Sequence, residues 1–286
     1  MPPGSLSTPV MGSALLTSAD QLAVFEFAAT YCSQSVRQII ERLQPGQTEL
    51  EAVQHMGLNG LPLSCHLMCS SGPRARLGLS SPMLRVIQRG DPFFVCLGLR
   101  GGLTARGGFV VADASELPSE ISDYLERLVK PYFAAAVAWY EAVGIGVSGG
   151  ELQAVVEEAL AGQDFGLALN PGHLIHLDEW VDSPVYPGSE IRLRSGTFIQ
   201  CDIIPVIDPK YHTTNVEDTI ALADASLREQ LAAAYPDMWQ RIQARRAFMQ
   251  EVLGIKLKPE VLPFSNTAAI LQPFILNHNL AMVAIS

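Results

Sequence analysis

Asn170-Pro-Gly-His-Leu-Ile-His176 sets two histidines on a short strand through a Pro-Gly turn, and the rest of the chain can be read outward from it. Residues three apart on a strand point to opposite faces, so at most one of His173 and His176 serves a given site. Downstream comes Phe198-Ile-Gln-Cys-Asp-Ile-Ile-Pro205, with Asp202 set in an otherwise apolar run. Val216-Glu-Asp-Thr-Ile220 then carries Glu217 and Asp218. A carboxylate inside a strand of Ile and Cys is costly unless it binds something. One His and two such acids on consecutive strand-like runs therefore mark a candidate polar site.

Upstream, apolar residues recur at helical spacing over residues 18–43, with Ser18 or Asp20 able to cap the start. Pro45-Gly46 stops that helix, and Thr48-Glu-Leu-Glu51 is a capping box that opens a second helix through His55. Short apolar runs at 63–68, 84–87, 93–99 and 109–111 predict strands. Helical periodicity returns over 115–144 and again over 151–160, after Ser148. A second strand-rich block is predicted at 174–177, 190–193, 197–206 and 216–222. A helical stretch at 227–253 and an apolar, loop-like tail over 257–286 close the chain. Helix, helix, strands thus occurs twice, the outline of an internally duplicated α+β fold. We expect a flexible lead-in over 1–17, one catalytic-like domain over 18–224, and an extension over 225–286 that packs on the same domain.

Of the 286 residues, 19 are Lys or Arg and 29 are Asp or Glu, so the net charge of −10 repels phosphate backbones and anionic lipid and excludes nucleic acid as a first partner. No apolar run reaches the roughly 18 residues of a membrane span. Residues 1–13 lack the basic flank and apolar core of a secretion signal. Five scattered cysteines argue against a disulfide framework, so a cytoplasmic address is expected. Gly144-Ile-Gly-Val-Ser-Gly149 matches a dinucleotide fingerprint, and Gly146-Val-Ser-Gly-Gly150 a nucleophile elbow. Both need a preceding strand and here follow a helix, so Ser148 and Glu151 read as a capping box. Cys65-His-Leu-Met-Cys69 has no second ligand pair and reads as buried structural cysteines.

Taken together, these pieces resemble the pita-bread fold of the creatinase, aminopeptidase P and methionine aminopeptidase superfamily. The resemblance runs over residues 18–224, the catalytic domain only. It rests on Leu43-Gln-Pro-Gly-Gln-Thr-Glu49, Arg89-Gly-Asp91 before a hydrophobic strand, Pro171-Gly-His173, Ser195-Gly-Thr-Phe ahead of Asp202, and Val216-Glu-Asp-Thr-Ile220. It implies a curved mixed or antiparallel sheet flanked by helices, with the site in its concavity.

The resemblance also implies a degraded metal site. Metal-dependent members hold two divalent ions with two Asp, one His and two Glu. By the resemblance, His173, Asp202 and Glu217 occupy the His and Glu positions, but Cys96 stands at the first Asp position. The second falls on Thr104 or Ala105, with Arg106 nearby. The creatinase acid/base His falls at or near Leu79. A standard two-metal site is therefore not expected, whereas one divalent ion on His173, Asp202 and Glu217, with or without Cys96, satisfies an open mononuclear site. The leading expectation is a hydrolase-like enzyme, metal-independent or weakly metal-binding, acting on a C–N or amide bond of a small polar molecule. His173 is its general acid/base, with Asp202 and Glu217 orienting it or holding a cationic group, Arg106 meeting a carboxylate, and Cys96 and His176 completing the substrate pocket. Two alternatives stand beside it: an inactive pseudo-peptidase that binds a small molecule or short peptide, and a residual one-metal Xaa-Pro-type peptidase. A homodimer is expected.

Overall fold

Ser18 caps the first helix, α1 (Ala19–Arg42), by a reciprocal pair in which its hydroxyl accepts from the Gln21 N–H and the Gln21 side chain accepts from the Ser18 N–H. The computed structural model describes residues 17–58, 60–76 and 78–285. Leu22, Phe25, Ala29, Cys32, Val36 and Ile39 make the buried stripe of α1. Gly46, at φ +100°, turns the chain into Thr48, which caps α2 (Glu49–Val53) reciprocally with Glu51. The same device returns in the second half. Helix α3 (Lys130–Ala142) ends before Gly146, at φ +87°, and Ser148 caps α4 (Gly149–Ala159) reciprocally with Glu151. The glycine motif at 144–150 is thus a turn and cap, and the helix–turn–capped-helix unit is repeated. Helices α5 (Ala225–Ala234) and α6 (Pro236–Glu251) follow.

The strands are β1 (Met68–Ser71), β2 (Pro92–Leu99), β3 (Gly102–Phe109), β4 (Gly166–Leu167), β5 (His173–Leu174), β6 (Phe198–Cys201), β7 (Pro205–Val206), β8 (Asn215–Leu222) and β9 (Val261–Pro263). Seven form one sheet in the order β1-β2-β3-β8-β6-β5, with β9 also pairing β8, and β4 pairs β7 separately. All these pairings are antiparallel. The fold is the α+β pita-bread, a curled antiparallel sheet flanked by helices. Strand alternation sorts the two faces. Phe93, Val95 and Leu97 meet Val36 and Ile39 of α1, while Ile199, Val216 and Ile220 meet Tyr132, Trp139 and Tyr140 of α3. The other face carries Cys96, Ala105, Glu217, Gln200 and His173, linked by the registers Cys96↔Ala105, Ala105↔Glu217 and His173↔Gln200.

Several predicted elements are corrected. The run at 63–68 is irregular until Met68, and 84–87 makes only one bridge, Val86 to Thr48, because Arg85 turns to pair with Asp91. The run at 190–193 likewise makes a single bridge, between Arg192 and Ser148. The strand expected at 109–111 is the end of β3, which starts at Gly102: its glycines hid a strand whose crowded neighbours leave no room for side chains. The helical stretch at 115–144 is broken into short turns before α3, and that at 227–253 is split by Pro236, which cannot donate to the ladder. The tail over 257–286 is not all loop, since β9 joins the main sheet. Of the lead-in expected over 1–17, all but Thr17 lies outside the described residues. Among the described residues no helix is long and apolar enough to cross a membrane.

Candidate active site

Three short strands bring the site together. The Pro171-Gly172 turn starts β5 at His173, β6 ends just before Asp202, and β8 presents Glu217 to the same face. His173 Nε2 lies 3.5 Å from Glu217 Oε1 and 3.8 Å from Asp202 Oδ2, and one ligand atom from each residue falls within 4.8 Å of the others. All three are buried. Gln200 Nε2 donates to Glu217 Oε1 at 3.3 Å. His173 Nδ1 meets the Leu174 carbonyl at 3.3 Å; a carbonyl only accepts, so Nδ1 donates to it and Nε2 faces the acids.

His173 Nε2 and Asp202 Oδ1 are buried without a hydrogen-bond partner. Burial, followed by the charge of Glu217, pushes the Asp202 carboxyl well above the usual carboxylate range. Burial, then Glu179 and Asp218, do the same to Glu217. One imidazole nitrogen with a lone pair and two carboxylates is a donor set that fits a single divalent cation. Cys96 and Leu103 line the same cavity, and the Cys96 thiol is pushed up by its hydrogen bond with Cys65 and by burial.

Several sequence-based assignments move. Leu103 is the β3 side chain that lines the cavity; Ala105 shares its face, and Thr104 alternates to the other side, beside Asp218. Arg106 is not in the site. It lies on the opposite face, where its guanidinium binds Asp218, so it cannot meet a substrate carboxylate. His176 also stays out, its ring edge-on to Phe25 with centroids 4.7 Å apart. Sequence reasoning missed Glu179 and Trp180, which follow Asp178 just beyond the strand predicted at 174–177. Glu179 Oε1 stands 3.5 Å from His173 Nε2, and the Trp180 ring is 6.1 Å from the His173 ring. The signal was an acid pair beside a tryptophan directly after the His173 segment. The cavity they enclose is about 160 Å³.

A curled antiparallel sheet with a His-Asp-Glu cluster on one face defines the pita-bread class of metallopeptidase-like proteins. The model of metallopeptidase family M24 matches residues 24–224, and the chain belongs to that family. Similar solved structures include the prolidase from Pyrococcus horikoshii, at 23% identity and TM-score 0.60, covering 73% of this chain and 61% of that one. A Xaa-Pro dipeptidase from Bacillus anthracis is 16% identical at TM-score 0.61, covering 74% and 60%. A His-to-Ala variant of Escherichia coli aminopeptidase P is similar in fold, at 16% identity and TM-score 0.58, covering 79% and 60%. The chain therefore spans about 60% of the length of these structures. No curated protein matches it.

Proposed function

We propose that this chain is a hydrolase-like M24 protein that acts on a C–N or amide bond of a small molecule with at most one divalent cation. The observation that carries the reading is the buried cluster of His173, Asp202 and Glu217 within 4.8 Å, beside Cys96 and Leu103. His173, Asp202 and Glu217 would hold the cation, which would supply polarisation of a carbonyl and a more acidic bound water. The protein's own part is to keep the Nδ1 proton of His173 on the Leu174 carbonyl and so fix the tautomer. Gln200 fixes the Glu217 carboxyl, and Glu179 stands close enough to the centre to accept a proton.

Elemental analysis after soaking in zinc, manganese or cobalt, together with amide hydrolysis, tests this reading. One ion per chain, lost in Glu217→Gln, and turnover abolished in His173→Ala are the expected results. Two ions per chain, or turnover unchanged in His173→Ala, would overturn it. A binding-only role is the competing reading, favoured by the apolar Leu103 and the buried thiol at Cys96; it predicts ligand binding without turnover.

A further inference from the structure

We propose that the cavity selects a small primary amine carrying a compact apolar group, that Glu179 holds its ammonium, and that ligands bearing a carboxylate are rejected. This rests on the reading that the cavity is the reactive site.

Glu179 is a carboxyl group beyond the three cation-holding residues. Among the described residues it has no Arg or Lys within 4.0 Å, its one salt-bridge partner there being His173. No Arg or Lys among the described residues lines the cavity, and Arg106 is engaged on the other face of the sheet. Without the cation a carboxylate ligand would therefore meet Glu179, Asp202 and Glu217 with no Arg or Lys partner, whereas an ammonium would find acceptors. Asp202, a residue 5% exposed, also lines the cavity, and its Oδ1 is without a hydrogen-bond partner, an acceptor open to a ligand when no cation is held there.

The remaining surface sets the other half of the ligand. Met68, Phe94, Leu103 and Ile204 form apolar walls. Leu79, Leu169 and Trp180 form a rim and are 61%, 53% and 51% exposed, large apolar side chains left in water around an opening. The volume of about 160 Å³ is near the roughly 150 Å³ that admits benzene in an engineered apolar cavity. Trp180 lines the same cavity as Glu179, its ring centroid 6.1 Å from that of His173, and offers an ammonium in the cavity an aromatic neighbour. The substrate class is thus a small amide or related compound with a free amine and no free carboxylate.

Calorimetric titration with benzylamine, benzyl alcohol and benzoate, on chelator-treated and on zinc-loaded protein, separates these terms. In the chelator-treated protein benzylamine should bind about tenfold or more tightly than benzyl alcohol, the scale of one charge-assisted hydrogen bond, and benzoate should not bind. Glu179→Gln should erase the preference for amine over alcohol and leave the alcohol unchanged; Glu179→Lys should transfer the preference to benzoate. Benzoate binding as well as benzylamine, an unchanged preference in Glu179→Gln, or no binding of any of the three would overturn the proposal. Amine selectivity in a protein without turnover or bound metal would sink the hydrolase reading and leave this one standing.

Discussion

Arg106 and Asp218 are paired on the face of the sheet opposite the candidate site: Arg106 Nη2 donates to Oδ1 at 3.0 Å and to Oδ2 at 2.8 Å, with both side chains buried. The Ala269 N–H donates to Oδ2 at 3.0 Å, and Arg106 also donates to Thr267 Oγ1. Glu217 and Asp218 are adjacent in sequence, yet strand alternation gives them different roles. One faces the cavity, and the other ties β3 and β8 to the C-terminal segment.

Breaking that pair should destabilise the fold without touching the cavity. Arg106→Met leaves Asp218 as a buried, uncompensated carboxylate, and the expected loss is about 3–5 kcal/mol in chemical denaturation. Arg106→Met with Asp218→Leu should recover much of it. A loss below about 1 kcal/mol for the single variant would show that the pair contributes little.

The approach of α1 to β3 is a second sensitive point. A Cβ on Gly102 would come within 2.5 Å of the Ala29 backbone nitrogen and 2.6 Å of its Cα. Those obstacles are backbone atoms of a long helix and cannot swing aside. Gly102→Ala should cost about 1–3 kcal/mol or more, the usual range of overpacking, and lower the midpoint of thermal unfolding measured by circular dichroism.

How much of this was legible in the sequence depends on the range of the forces involved. The caps at Ser18, Thr48 and Ser148 were legible because a capping box is complete within four residues. His173, Asp202 and Glu217 were legible as a group because polar side chains in apolar runs stand out, and the structure brings them together. The strand at 102–109 was hidden because its glycines answer to tertiary crowding, by Ala29, Asn215 and Pro273, that no local pattern encodes. Arg106 was misplaced for a related reason: adjacency in sequence to Thr104 and Ala105 says nothing of strand face until the β3–β8 register is known. Glu179 lies outside any strand, and only the fold of its loop brings it to His173.

Glu26 makes stability depend on pH. Burial alone would raise its pKa, but the guanidiniums of Arg241 and Arg245 outweigh burial and hold it below the ordinary glutamate value of 4.5. It joins α1 to α6, with Arg241 Nη2 at 2.7 Å and Arg245 Nη1 at 2.8 Å. A carboxyl depressed by folding contributes stability that is present above its unfolded pKa and lost as the pH falls through its folded value. Stability should therefore fall on acidification below about pH 4.5, and Glu26→Gln should flatten that part of the curve in urea titrations between pH 6 and pH 3. An unchanged slope in the variant would contradict the assignment.

Asp202 acts with the opposite sign. Its folded pKa lies well above the ordinary value of 3.8, through burial first and the charge of Glu217 second. The folded state thus holds that proton more tightly than the unfolded chain, and stability is lost as the pH rises through the raised value. In chelator-treated protein at pH 8, Asp202→Asn should be more stable than the parent in chemical denaturation. The same change should weaken zinc binding, the common trade between a functional site and stability. A variant less stable than the parent at pH 8 would mean that the Asp202 carboxylate is compensated in the metal-free protein.

Ligand count supplies the final prediction. Cys96 and Leu103 occupy one face of the β2–β3 hairpin, and Ala105 pairs across to both Cys96 and Glu217, so acids introduced at 96 and 103 would point into the same cavity as Glu217. Cys96→Asp with Leu103→Asp adds two carboxylates to a set of one His and two acids, enough negative charge to offset a second divalent ion. Elemental analysis of the double variant should give two zinc or manganese ions per chain where the parent gives at most one. Its thermal midpoint should fall without metal, since two buried apolar positions become acids, and recover when metal is added. A double variant that folds by circular dichroism yet still takes no more metal than the parent would show that the second position was closed by backbone geometry as well as by the loss of its ligands.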